Sequence, residues 1–70
     1  MKKSRETIAR GKRLKKLRLK TGLSQDKLGE VFGITGAAWR QYELGVRVPN
    51  DKIKKQIAIH FDMTIEDLFF

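Results

Sequence analysis

The stretch 35–44 carries a primary amide, a guanidinium and a methyl group at helical spacing. Trp39 and Tyr42 stand three residues apart. A helix that turns both rings inward therefore brings Ala37, Arg40, Gln41 and Leu44 to its opposite side, with Gly36 at the edge. On such a face Gln41 pairs a donor with an acceptor, the pattern that matches an adenine edge. Arg40 can reach guanine or a phosphate, and the Ala37 methyl suits a thymine methyl. Nothing comparable exists for catalysis: no carboxylate pair, Ser/His/Asp set or activated lysine stands together. The chain has no cysteine and one histidine, His60, so no metal site, no cofactor and no enzymatic activity is expected. Gly29-x-x-x-Gly33-x-x-Gly36 is not preceded by a strand, so it fails as a nucleotide-binding fingerprint.

The elements that must hold this face outward are all helical, because period-two alternation is absent and the fold class is therefore all-α. A first helix over about 7–21 places Leu14, Leu17 and Thr21 on one side, and Gly22 closes it. Ser24 caps a second over about 25–32, with Leu28, Val31 and Phe32 as its apolar face. After a tight Gly33-Ile34 turn, Thr35 caps a third that runs to Leu44 and stops at Gly45. Pro49 keeps the next loop extended. Asn50 or Asp51 caps a fourth over about 52–61, with Ile53, Ile57 and Phe61 inside. Thr64 opens a last short helix carrying Leu68, Phe69 and Phe70. Residues 1–6 read as a basic N-terminal arm and 7–70 as one domain. The second and third helices, joined by a Gly-containing turn, make a helix-turn-helix, a motif that places its second helix in the DNA major groove.

Charge points the same way. Of 70 residues, 16 are Lys or Arg and 8 are Asp or Glu, a net of +8. Ten of the basic residues fall in the first twenty positions against Glu6 alone, so the other fifty residues sum to −1. Such asymmetry fits a polyanion, double-stranded DNA foremost; a merely solvated surface and an anionic membrane are the alternatives. Read as a membrane-surface helix, 8–20 has a narrow apolar face without aromatics. No apolar run nears the roughly 18 residues of a span, and the start is charged rather than a signal core. A soluble, cytoplasmic protein with no membrane partner is expected.

Together, Leu17-Arg18, Gly22-Leu23-Ser24-Gln25, Leu28, Gly33-Ile34-Thr35, Glu43-x-Gly45, Pro49, Ile57-Ala58 and the ending from Met63 to Leu68 resemble the phage-repressor-like (lambda repressor and Cro, or Xre) helix-turn-helix family. The resemblance spans about residues 10–68. It implies a compact five-helix, lambda-repressor-like DNA-binding domain of a transcriptional regulator, usually a homodimer on a palindromic operator. It further implies that Gln25 grips a phosphate at the start of the second helix and that Arg47 meets the flanking phosphates. The candidate DNA-binding set is then Gln25, Thr35, Gly36, Ala37, Arg40, Gln41 and Arg47. The family pairs positions 18 and 43 in a partly buried salt bridge, here Arg18 and Glu43.

Lys2, Lys3 and Arg5 either reach along the duplex as an arm or form a tail without defined contacts. Family members more often carry larger polar residues at positions 36 and 37, so direct readout there is expected to be sparse and DNA shape to matter more. Position 39 is normally Ile or Val, and Trp39 needs volume and a partner for its indole N–H. Gly29, commonly Ala, is expected to make room for that ring by its missing Cβ. Ile59, Phe69 and Phe70 lie at the edge of the expected core. Phe69 and Phe70 either stay exposed as a dimer or protein-partner patch or fold back over the first helix, where Leu19 lacks cover. An antitoxin-like interaction module on the same fold would use that patch.

Overall fold

The computed structural model describes the backbone of residues 5–70 and the side chains from residue 8 onward. Five helices follow in order: α1 (Arg5–Thr21), α2 (Gln25–Val31), α3 (Gly36–Leu44), α4 (Asp51–His60) and α5 (Ile65–Phe69). No strand occurs among the described residues. Helix α1 begins at Arg5, two residues before the expected start, so Arg5 belongs to a helix and not to an arm. Lys2 and Lys3 lie outside the described residues.

Local chemistry sets the helix starts. The hydroxyls of Ser24, Thr35 and Thr64 accept from the backbone N–H groups of Lys27, Ala38 and Asp67 at 3.0–3.1 Å, and Asn50 Oδ1 accepts from Ile53 N at 2.9 Å. Each cap satisfies a donor that the first helical turn leaves orphaned, worth about 1 kcal/mol. Asn50, and not Asp51, fills the cap of α4. Between α2 and α3 the chain reverses at Gly33, whose φ of +70° is strained for any residue with a Cβ.

The core gathers Leu14 from α1, Leu28 from α2, Trp39 and Tyr42 from α3, Ile53, Ile57 and Ala58 from α4, and Leu68 and Phe69 from α5, with Phe32 beside α2. Trp39 lies against Phe32, their ring centroids 5.6 Å apart and planes 24° apart, and meets Tyr42 edge-on at 6.1 Å. Helix α3 is thus held from below by α1 and α2, which both pack on it, while α5 closes against α1 and α4.

Of the two alternatives for the C-terminus, the exposed two-ring patch needs correction, while the fold-back over α1 holds except at Leu19. Phe69 is in the core at 2% exposure, because α5 turns it and Leu68 onto the same inner side. Phe70 is 76% exposed, and Leu19 stays 58% exposed without an aromatic cover. The Phe70 ring instead lies under the Arg10 guanidinium, 5.7 Å from its centroid, with Lys54 Nζ at 5.8 Å. A partner patch built on both phenylalanines therefore does not exist; Phe70 alone is available.

Candidate nucleic-acid interface

Helix α3 has two unlike sides. Trp39 (0% exposed), Tyr42 and Glu43 are buried, while Ala37, Arg40, Gln41 and Leu44 are exposed. Around the exposed side runs a shallow groove lined by Gln25 and Asp26 of α2, by Gly36, Ala37, Arg40, Gln41 and Leu44 of α3, and by Val46 of the following loop. Five of the candidate residues, Gln25, Gly36, Ala37, Arg40 and Gln41, are brought together here. Thr35 borders the helix start, its hydroxyl engaged in the cap. Arg47 approaches from the loop, with Nη1 donating to Gln41 Oε1 at 3.4 Å. The Gln41 amide keeps its N–H donors, and the long Arg47 contact is weak enough to open when a better acceptor arrives.

Gln25 is half-buried and donates through Nε2 to Glu43 Oε1 at 3.1 Å. Its amide is thereby held in place under the groove. Glu43 is the hub of this arrangement. Its carboxylate accepts from Arg18 Nε at 2.6 Å and Arg18 Nη2 at 3.3 Å, from Gln25, and from the indole Nε1 of Trp39. Arg18 also donates to the Leu23 carbonyl at 3.1 Å. One carboxylate so ties α1, the start of α2 and the middle of α3 into a single network. No buried side-chain polar atom among the described residues lacks a partner. The indole acceptor was invisible in the sequence, although Trp39 and Glu43 sit at i and i+4, where helical side chains meet.

The expectation that Gly29 makes room for the Trp39 ring is corrected. A Cβ on Gly29 would instead lie 2.9 Å from the Thr35 carbonyl carbon and oxygen and 3.0 Å from the Ile34 oxygen. The glycine accommodates the backbone of the turn, which folds back so that Ile34 N donates to Gly29 O at 2.9 Å. Gly29→Ala is expected to lose about 1 kcal/mol net, overpacking of roughly 1–3 kcal/mol being partly offset by helix propensity. Because the clash is with the turn, adding Trp39→Ile should not rescue it. Urea denaturation of the two single variants and the double variant should give additive losses within about 0.5 kcal/mol.

The groove is not where most of the charge lies. Arg40 is its cation and Asp26 its anion, with Arg47 beside it in the following loop. Lys12, Lys15, Lys16 and Lys20 are exposed on the side of α1 that faces away from the core. A field of this kind draws a polyanion towards a domain from a distance, whereas neutral and mixed side chains are the kind that discriminate at contact.

A helix-turn-helix with a packed inner side and hydrogen-bonding side chains on its outer side defines the class of the helix-turn-helix regulators. The chain is 38% identical over 58 residues to an uncharacterized HTH-type transcriptional regulator, YgzD, of Bacillus subtilis (strain 168), covering 83% of this chain and 88% of that one. Its fold matches the restriction-modification controller protein C.AhdI from Aeromonas hydrophila with a TM-score of 0.78 at 28% identity, over 91% of this chain and 93% of that one. No protein-family model matches the sequence. The chain belongs to the phage-repressor-like family of helix-turn-helix transcriptional regulators.

Proposed function

We propose that the protein binds DNA sequence-specifically and represses transcription by occupying a palindromic operator as a homodimer in the cytoplasm. The observation that carries this reading is the division of α3, with Trp39 and Tyr42 buried and Ala37, Arg40 and Gln41 turned out into one groove. Seated in the major groove, Gln41 would pair with adenine, Arg40 with guanine or the phosphate wall, and Ala37 with a thymine methyl. Arg47 would neutralise a flanking phosphate, and Gln25, held by Glu43, would meet the backbone at the start of α2. Two subunits would address half-sites about 34 Å apart. The chemistry is recognition, with no catalytic step and no cofactor. No described helix is long and apolar enough to cross a membrane. An antitoxin-like role has less support, since Phe69 is withdrawn into the core.

Titrations of specific and scrambled duplexes at several salt concentrations test the assignment. Gln41→Ala should cost about 1–3 kcal/mol on the specific duplex and little on the scrambled one. Arg47→Ala should weaken both alike and flatten the log–log salt slope by about one unit. Equal losses on both duplexes from Gln41→Ala would remove that residue from the reading set.

A further inference from the structure

The groove contains a charged group that the functional reading leaves unused. Asp26, in the first turn of α2, is exposed and lines the groove beside Gly36, Arg40 and Gln41. Its carboxylate has no hydrogen-bond or salt-bridge partner among the described residues, although Arg40 lines the same groove. Its position relative to α3 is unusual. A Cβ on Gly36 would overlap Asp26 Oδ1 and come within 2.9 Å of Asp26 Cα and Cγ. The carboxylate therefore occupies the space from which a side chain at position 36 would start. Position 36 is the first residue of the helix that carries Arg40 and Gln41, one turn before Arg40.

We propose that Asp26, set into the gap left by Gly36, is a specificity-determining residue that accepts a hydrogen bond from the exocyclic amine of a cytosine. The proposal rests on the reading of α3 as the helix that enters the major groove. Gly36 and Ala37 let that helix approach the bases closely, which a carboxylate on a short side chain needs. An ionised carboxylate only accepts. In the major groove guanine offers acceptors at N7 and O6, and thymine offers an acceptor at O4, so both repel it. Adenine's N6 amine lies between two acceptors, its own N7 and the O4 of the paired thymine, whereas cytosine's N4 amine has the O6 of the paired guanine on one side and only a C–H on the other. Cytosine is the one base whose amine Asp26 can approach from a side that carries no opposing lone pair. The same carboxylate penalises the other bases, so it discriminates by repulsion as well as by attraction.

Selection of bound sequences from a random duplex pool tests this, using the full-length wild type, Asp26→Ala and Asp26→Asn. Thermal melting run in parallel confirms that these exposed substitutions stay folded. The wild type should select cytosine at one position of each half-site, preferred roughly tenfold in competition binding. Asp26→Ala should lose the preference at that position alone and keep the position read by Gln41. Asp26→Asn should move the preference to adenine, which an amide matches with both a donor and an acceptor. An unchanged consensus in both variants, with tighter binding to every duplex, would overturn the proposal and leave Asp26 as a repulsive charge only. A wild type that selects no consensus at all would overturn the DNA-reading assignment itself, and this proposal with it.

Discussion

Replacing Glu43 with alanine is expected to destabilise the fold by about 3–5 kcal/mol, the scale for breaking a buried ion pair by deleting one partner. The Arg18 side chain, 12% exposed, would be left beside no carboxylate, and the indole N–H of Trp39 would lose its acceptor in a fully buried site. An unsatisfied buried donor alone costs roughly 1–3 kcal/mol. A domain of this size has a total stability of only about 4–10 kcal/mol, so the variant would lose from about a third to all of it. Glu43→Gln should fall between the wild type and Glu43→Ala, since an amide oxygen still accepts from the indole but no longer neutralises Arg18. Urea titrations followed by far-UV circular dichroism measure all three. A loss below about 1 kcal/mol for Glu43→Ala would show that the network contributes no more than a surface pair.

Gly11→Ala is expected to be nearly as damaging, at roughly 2–4 kcal/mol. A Cβ at this buried position of α1 would overlap the Glu43 carbonyl oxygen and come within 2.8 Å of its carbon and 3.0 Å of the Tyr42 oxygen. These are backbone atoms of α3 and cannot rotate away as a side-chain end can. Helix α1 must instead move off α3, which loosens Leu14 and lengthens the Arg18–Glu43 bridge. The gain in helix propensity from glycine to alanine, about 1 kcal/mol, is too small to offset this. Lys12→Ala, one residue along on the exposed side, should stay within about 0.5 kcal/mol of the wild type. The single tryptophan makes the measurement direct, since Trp39 fluorescence reports the core at the base of the same helix. Loss of DNA affinity in parallel is expected, because α3 is positioned by this contact.

Much of the fold was legible because its signals are local. The caps at Ser24, Thr35 and Thr64 act on an N–H three residues away, and the inward turn of Trp39 and Tyr42 follows from their spacing alone. The family resemblance carried the pairing of Arg18 with Glu43. A residue's role is not legible locally where it depends on a distant element. Gly29 faces the turn backbone, which no local pattern shows. Phe69 and Phe70 carry the same local signal, yet α5 turns one in and leaves the other out. Gly11 and Asp26 carried no local signal, since a glycine within a helix and an acid in a first turn have ordinary local explanations.

What the amino-acid order determined by itself is therefore the set of helices, most of their apolar positions (Val31, expected on the inner face of α2, is 50% exposed) and the side of α3 that looks outward, because each depends on neighbours within about one helical turn. Only the tertiary structure decided what lies against those faces. Arg18 and Gln25 converge on Glu43 from 25 and 18 residues away, and Asp26 takes the place of a side chain at Gly36. Such meetings depend on how closely whole helices approach one another, a distance set by the packing of the entire core and encoded in no single stretch of chain.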